Sequence, residues 1–296
     1  MRAFGPIRTA LFVPGNRPDR VDKAVNAGAD AVIIDLEDAV PFSQKQETRP
    51  KVRDKLLEHG GTKMVVRINA LDTEFFAGDV EEIVVQGLRC LMLPKVENAD
   101  HLRRIHKVLL DEEKKKGMEP GEVWIIPLIE SAAGVQNIFS IVSERLAPHR
   151  LFTVALGAAD YTLDMGIEIT QGGKELDYPR ASIAVACRAA GVEPPLDTPF
   201  MLDLKNLEWL KADAVRAKQL GFQGKLCIHP NQIETCHDVF SPTDEEIQYA
   251  RRVIQAFEEA EAKGVAAIQL EGKFIDYPVV ERSRRILRLA AAIASN

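Results

Sequence analysis

Eight short apolar segments, most of them separated by stretches with helical periodicity, constrain the fold of this chain more than any other feature. None alternates strictly between apolar and polar residues, which is typical of parallel strands covered on both faces. The predicted strands are residues 9–13, 31–36, 64–68, 90–93, 123–129, 151–156, 200–204 and 225–228. Strand–helix alternation repeated eight times predicts an α/β fold of the (β/α)8 TIM-barrel type.

Helical patterns between these strands support the same architecture. The predicted helices are residues 18–27, 74–86, 99–116, 179–190 and 207–220, with Asn16 as a candidate N-cap of the first. A doubly wound sheet is the alternative fold. It normally carries a glycine-rich turn after the first strand, whereas residues 13–18 contain a single glycine, Gly15.

The last part of the chain has the pattern of a small separate module. We place a catalytic barrel domain at residues 1–240 and a helix–hairpin–helix module at residues 241–296. Ser241 to Glu246 carries helix-start signals, and Glu271-Gly272 predicts a tight turn between two short strands. So short a module has little core of its own and is expected to pack on its own barrel or on a neighbour's.

Composition excludes several classes of protein. The net charge of −6 argues against phosphate-driven binding of nucleic acid. No apolar stretch reaches the roughly 20 residues that a bilayer span needs, and no apolar signal core follows Met1. The four cysteines form no C-x-x-C pair, which favours reduced thiols and a cytoplasmic location.

Polar residues at the strand ends are the candidates for chemistry, because the carboxyl ends of barrel strands and the following loops build the active site. Glu130 follows the fifth strand, Asp160 follows the sixth, and Arg67 lies at the end of the third. Further acids, Asp35, Glu37 and Asp38, end the second. A cluster of carboxylates repels itself unless a cation binds, and oxygen ligands suit Mg2+. We therefore predict a magnesium site that also accepts an anionic substrate.

Each candidate also has a simpler interpretation. Glu130 and Asp160 can cap the helices that follow them, and Arg67 can serve as a counter-ion of Asp35 or Glu37. Lys95 suits a solvated charge better than a Schiff-base amine, since nearby acids favour its charged form. His229, before a proline, is more often a structural histidine than a ligand.

Seven motifs occur in order along the chain. They are Leu11 to Pro18, Asp35 to Val40, Arg67 to Asn69, Leu93 to Glu97, Ile129 to Gly134, Asp197 to Pro199 and Gly221 to Pro230. Together they resemble the citrate lyase beta subunit and malyl-CoA lyase family, within the HpcH/HpaI aldolase-like superfamily. The resemblance covers essentially the whole chain.

The resemblance implies a Mg2+-dependent carbon–carbon lyase (Mn2+ being possible) that cleaves a carboxylated 3-hydroxyacyl-CoA into a thioester and a 2-oxo acid. It implies that Glu130 and Asp160 hold the metal and that Arg67 binds the 2-oxo acid. Asp35, Glu37, Asp38 and Lys95 would surround the metal site as outer partners. The turn formed by Pro14, Gly15 and Arg17 would contact substrate. A homotrimer or larger homo-oligomer is expected.

The family's carboxy-terminal acid falls on Asp276. By resemblance, a neutral Asp276 protonates the thioester enolate, in its own or a neighbour's site. From the residues alone the simpler interpretation is a helix N-cap, because Pro278 lies just inside the last helix.

Other functions stay open at this point. Related barrels cleave 2-oxo-4-hydroxy acids or act on phosphoenolpyruvate and pyruvate. A malyl-CoA-type thioesterase would use the same metal site. A citrate lyase beta subunit would act on an acyl-carrier-protein thioester within a complex, and a scaffold role would leave the acidic strand ends unexplained.

Overall fold

A closed barrel of eight parallel strands forms the main body of the protein in the computed structural model, which describes residues 5–59 and 63–295. Each strand pairs with the next along the chain, and the eighth pairs with the first. The strands are β1 (Thr9–Pro14), β2 (Ala31–Asp35), β3 (Met64–Arg67), β4 (Cys90–Leu93), β5 (Trp124–Ile129), β6 (Ala155–Leu156), β7 (Leu196–Asp197) and β8 (Gly224–Cys227). The predicted (β/α)8 barrel is confirmed.

Helices follow the strands. They are α1 (Pro18–Val25), α2 (Lys45–Glu58), α3 (Phe76–Ile83), α4 (Ala99–Lys115), α5 (Ala132–Gln136), α6 (Ile138–Val142), α7 (Ala158–Met165), α8 (Asp177–Ala190), α9 (Leu207–Gln219), α10 (Gln232–Phe240), α11 (Asp244–Glu261) and α12 (Tyr277–Ala294). Helix α4 is representative. Asn98 caps it by accepting from the His101 amide, and Leu102, Ile105 and Leu109 form its buried face.

Apolar side chains from all eight strands form one cluster inside the barrel. They include Ala10, Ile33, Val65, Cys90, Met92, Leu128, Ala155, Leu196 and Leu226. Successive side chains of a strand point to opposite faces, so every second residue of a barrel strand points inward. The barrel is therefore a packed core, and only side chains at the strand ends can border a site.

The predicted strand at residues 200–204 is wrong. The seventh strand is Leu196–Asp197, and the Leu196 amide donates to the Val154 carbonyl. Prolines at 194, 195 and 199 surround this two-residue strand and hide it in the sequence. Residues 200–204 instead lie in the loop before α9, where the Phe200 carbonyl accepts from Gln232.

Two further local predictions need correction. Helix α2 was not predicted. It carries eight charged residues, none of them fully buried, and buries only Thr48, Val52 and Leu56, four residues apart, with Pro50 inside the helix. Asn16 does not cap α1, which has Arg17 at the N-cap position without a side-chain bond. The Asn16 amide donates to Gln44 instead.

A buried ion network lies behind β7 and β8, on the outward side of the barrel wall. Arg180 of α8 donates twice to Asp197, and the Lys225 ammonium contacts both Asp197 and Asp213. Burial opposes ionisation of Asp213, but Lys225 and Arg180 outweigh it and lower the pKa of this carboxyl. The charges thus join two helices to the two strands.

The chain divides into two compact units after Cys236, within α10. In the second unit, β9 (Ile268–Leu270) and β10 (Lys273–Ile275) form an antiparallel hairpin between α11 and α12. Val253, Phe257, Ile275 and Val280 are its buried core. Thr243 and Glu246 form the capping box of α11. In the part of the chain that is described, no helix is long and apolar enough to cross a bilayer.

Candidate active site at the carboxyl end of the barrel

Charged side chains replace the apolar core at the carboxyl end of the barrel. Asp35, Arg67 and Glu130 each lie two residues beyond a member of the interior cluster, so they continue its inward-facing series. A cavity of about 340 Å3 lies here. Its lining combines charged residues with apolar ones: Phe12, Asp35, Asp38, Ala39, Arg67, Leu128, Glu130, Gly157, Ala158, Ala159, Asp160, Thr198, Pro199, Met201, Leu226 and Ile228.

Glu130 is only 5% exposed and is held from two sides. Its Oε1 accepts from the Lys95 amide at 2.7 Å. A Cβ on Gly157 would stand 2.6 Å from Oε2, so only glycine leaves room for this carboxylate. Burial, and then the charge of Glu37, raise the pKa of Glu130 to about 8. Asp160, in the first turn of α7, adds to that repulsion from the same cavity.

Arg67 is hydrogen-bonded mainly to Asp35, which lies opposite it in the pairing of β2 with β3. Its Nε and Nη2 donate to the two carboxylate oxygens of Asp35 at 2.7 and 2.6 Å. The remaining Nη1 lies 3.1 Å from Glu37 and 3.5 Å from Asp38. The guanidinium stacks over Phe12 at 5.0 Å. Arg67 is thus a counter-ion of Asp35, and Nη1 is its donor directed at the other acids.

Glu37 and Lys95 face each other at the edge of the site. Burial is the main cause that raises the pKa of Glu37 to about 7, against the lowering effect of Arg67. Lys95 Nζ lies 3.5 Å from Glu37 Oε1 and is half exposed. Burial works against the charge of Lys95, but Glu37 and the other acids raise its pKa overall. Lys95 also has a φ of 55°, a strained conformation that turns its amide toward Glu130.

The charges of this network do not balance. Its five carboxylates are Asp35, Glu37, Asp38, Glu130 and Asp160, and its three cations are Lys45, Arg67 and Lys95. When all eight groups are ionised, two negative charges are in excess, the amount that one divalent ion would offset. Without a cation, burial and mutual repulsion instead favour the protonated forms of Glu37 and Glu130. Glu37 Oε2 is also buried, and Arg67 Nη1 lies 3.1 Å from it without hydrogen-bond geometry in the part of the chain described. The donor set fits a hard, oxygen-preferring cation such as Mg2+.

Residues 8–230 match the family model described as HpcH/HpaI aldolase/citrate lyase. The chain belongs to this family. It is 41% identical over 287 residues to the citrate lyase subunit beta of Leuconostoc mesenteroides, covering 96% of this chain and 93% of the relative. It is 34% identical over 313 residues to the L-malyl-CoA/beta-methylmalyl-CoA lyase of Cereibacter sphaeroides, covering 98% and 96%. The family assignment made from the motifs is confirmed.

Solved structures of this family carry the same fold. One is the CitE protein of Mycobacterium tuberculosis in complex with magnesium, acetoacetate and coenzyme A. It is 30% identical, with a TM-score of 0.78, and the match covers 98% of this chain and 100% of that one. Another is the citrate lyase beta subunit of the same organism with oxaloacetate and magnesium, 32% identical with a TM-score of 0.67. That match covers 81% of this chain and 99% of the other.

Three residues predicted to contact substrate do not line the cavity in the described structure. Pro14 ends β1. Gly15 packs closely on the neighbouring strand, since a Cβ there would stand 2.8 Å from the Asp35 carbonyl oxygen. Arg17 is about half exposed and pairs with Asp19. In this family member their contact with substrate remains a prediction.

Asp276 lies in the second unit, at the start of α12. Its Oδ1 accepts from the Val279 amide at 3.3 Å, so it caps the helix, as expected from the residues alone. Its catalytic role stays a prediction.

Lys45, the first residue of α2, also contacts the site, and the sequence did not predict it. Its ammonium donates to the carbonyls of Leu36 and Glu37 and to Asn69 Oδ1. No local signal marks it, because it belongs to a densely charged segment that favours a solvated helix face.

A second acidic cluster among the described residues is unsuited to a metal. Asp22, Glu58 and His59 bring possible ligand atoms within 4.8 Å of one another. However, Lys55 Nζ already lies 2.6 Å from Asp22 and 2.7 Å from Glu58. A protein cation thus fills the role that a metal would take.

Proposed function

We propose that this chain is a Mg2+-dependent carbon–carbon lyase. It cleaves a carboxylated 3-hydroxyacyl-CoA, such as malyl-, citramalyl- or citryl-CoA, into an acetyl- or acyl-thioester and a 2-oxo acid. The observation that carries this proposal is the buried Glu130, which borders one cavity with Asp160 in a network whose acids, when all are ionised, exceed its cations by two. The relatives named as lyases, and those solved with magnesium, support it.

Glu130 and Asp160 would hold the metal, with Asp35, Glu37, Asp38 and Lys95 as its outer partners. Bound Mg2+, or Mn2+ in its place, would supply Lewis-acid stabilisation of charge on the substrate oxygens. Lys95 fixes Glu130 through its backbone amide. Such outer partners orient the ligands and hold them at the spacing that the metal requires.

Arg67 would bind the carboxylate of the 2-oxo acid through Nη1, because Nε and Nη2 already donate to Asp35. Pro14, Gly15 and Arg17, at and after the end of β1, would contact the thioester part. The apolar side of the cavity, which includes Leu128, Met201 and Ile228, would exclude water from the breaking bond.

We assign the proton transfer to Asp276. The C3 hydroxyl loses its proton to solvent and its oxygen becomes the carbonyl of the 2-oxo acid as the bond between C2 and C3 breaks. The electron pair of that bond stays on C2 as a thioester enolate, and the carboxylic acid of Asp276 gives its proton to that carbon. The functional division would then be a catalytic domain at residues 1–240 and a lid module at residues 241–296. The acid would come from the lid of the same chain or of a neighbour.

A panel of CoA thioesters tests the proposed reaction. With Mg2+, at least one carboxylated 3-hydroxyacyl-CoA is expected to yield equal amounts of a shorter thioester and a 2-oxo acid. Exhaustive chelation should abolish this turnover, and added Mg2+ should restore it. Chromatography of the acyl-CoA products, with a coupled dehydrogenase assay for the 2-oxo acid, measures both. Turnover that survives chelation would remove Glu130 and Asp160 from the reaction.

A second candidate is a citrate lyase beta subunit that acts on an acyl-carrier-protein thioester within a complex. The favouring observation is the higher identity to a citrate lyase subunit beta, 41%, than to the malyl-CoA lyase of Cereibacter sphaeroides, 34%. Purified protein that ignores free CoA thioesters but cleaves the carrier-protein thioester would decide for it. Free CoA formed without a shorter thioester would instead indicate a thioesterase.

The proposed metal site predicts that stabilisation by Mg2+ increases with pH. Glutamate has a pKa of about 4.3 when unfolded, whereas the folded pKa is about 7 for Glu37 and about 8 for Glu130. Folding without metal therefore favours the protonated acids, and this contribution is lost as pH rises from about 4 to about 8. Melting curves between pH 5 and 8 are expected to show a growing gain in melting temperature on adding Mg2+. A gain that shrinks with pH would contradict the assignment.

We also propose a cytoplasmic homotrimer or larger homo-oligomer. The four cysteines are free and buried, which suits a reducing compartment. Light scattering of the purified protein would measure the assembly.

A further inference from the structure

Lys45 holds the backbone that carries Glu37. Its ammonium donates to the Glu37 carbonyl at 2.7 Å, the Leu36 carbonyl at 3.1 Å and Asn69 Oδ1 at 2.7 Å. A lysine ammonium has three donors, and each has an acceptor here. Lys45 therefore has no donor left for substrate, although it lies next to the acidic site.

Asn69 connects Lys45 to a buried anchor. Its side-chain amide donates to the Leu36 carbonyl at 3.0 Å and to Asp79 at 2.6 Å, and its backbone amide donates to Asp79 at 2.9 Å. Asp79, fully buried in α3, also accepts from Arg49 of α2 at 2.7 Å. A continuous set of charge-assisted bonds thus runs from two helices to the loop after β2.

Glu37 is held on both sides of its α-carbon. Its amide donates to Asp35 Oδ1 at 2.9 Å, and its carbonyl accepts from Lys45. Its carboxylate is thereby directed toward Arg67 Nη1 and Lys95 Nζ, 3.1 and 3.5 Å away. Asp35 fixes the first peptide from inside the barrel, and Lys45 fixes the second from the helix layer.

We propose that Lys45 is a positioning residue for metal binding, acting through Glu37. The proposal rests on the proposed function, because Glu37 matters in this way only if the cavity holds Mg2+. Without Lys45 the Leu36 carbonyl keeps only the Asn69 side chain as a donor and the Glu37 carbonyl keeps only the Val40 amide. The loop then loses its charged link to α2 and is freer to turn the carboxylate away. Loss of an outer partner of this kind typically weakens metal binding about 10- to 100-fold.

Titration calorimetry of the whole protein with Mg2+ tests this proposal. Lys45→Met is expected to raise the dissociation constant about 10- to 100-fold. Lys51→Met is the control. Lys51 lies on the same helix and contacts Glu47, outside the site. It should leave the Mg2+ affinity unchanged even if it lowers the melting temperature.

Rescue separates positioning from general stability. In Lys45→Ala, a small alkylammonium ion added to the buffer is expected to recover part of the Mg2+ affinity, and it should have no effect on Lys51→Ala. Hydrogen exchange at the amides of residues 36–39 should be faster in Lys45→Ala and slower again with the amine. Should Lys45→Met fail to fold, this alanine variant with the amine present provides the test.

Two results would overturn the proposal. If wild type binds Mg2+ and Lys45→Met binds it equally well, Lys45 does not position Glu37, while the proposed function stands. If wild type binds no Mg2+, the metal site fails and the role of Lys45 fails with it. The wild-type titration therefore distinguishes the two failures.

Discussion

Glu130→Gln is expected to weaken Mg2+ binding by about 100-fold or more, because even outer partners of a metal contribute about 10- to 100-fold. Glutamine keeps the size of the side chain and the carbonyl that accepts from the Lys95 amide. It removes the charge, and with it the repulsion from Glu37 and Asp160. The metal-free variant should therefore melt no lower than wild type at pH 8, while turnover is lost.

Glu112→Gln is the control for that variant. Glu112 is another buried glutamate, outside the site, that pairs with Lys115. Calorimetry with Mg2+ and melting curves at pH 6 and pH 8 would be compared for the three proteins. Wild-type affinity in Glu130→Gln would show that the ion binds elsewhere.

Asp276→Asn is expected to lower turnover about 100- to 10,000-fold, the usual contribution of a positioned general acid. Asparagine caps a helix about as well as aspartate, so the bond from the Val279 amide should persist and stability should change little. Substrate binding should also change little, which places the loss in kcat. Steady-state kinetics and melting curves measure the two effects separately.

Thr243→Ala is the control for Asp276→Asn, because it is expected to lower stability and leave turnover unchanged. It removes the capping box of α11 in the same unit and should cost about 1 kcal/mol of stability with turnover retained. Full activity in Asp276→Asn would leave Asp276 as a cap and nothing more.

The barrel could be predicted because its strongest signals are local. Most of its strands are short apolar segments followed by polar residues, and strand–helix alternation leaves few folds to choose from. The seventh strand was predicted at the wrong place because a two-residue strand among prolines is too short to show the apolar pattern of a strand. Helix α2 was not predicted because it has only three buried residues, and charged residues and a proline between them obscure the helical pattern.

Several of the polar residues that line the cavity could be predicted, but their contacts could not. Glu130, Asp160 and Arg67 follow from their places after strands. The commitment of Arg67 to Asp35 depends on the register between β2 and β3. The space that Gly157 leaves for Glu130 depends on two elements 27 positions apart in sequence. The role of Lys45 depends on three acceptors, the farthest of which is 24 residues away.

The ion network behind β7 has a consequence for how the barrel stays closed. Strands β6 and β7 contribute only two residues each, so this seam has fewer ladder bonds than its neighbours. Thr198 and Pro199, which border the cavity, come directly after it. The ion network of Arg180, Asp197 and Lys225 adds contacts on the outer side of the barrel, where the strands themselves form few hydrogen bonds. The cavity rim at Thr198 and Pro199 is thus tied to ion pairs in the helical layer, where we expect substitutions to shift the rim even though they replace no residue that lines the cavity.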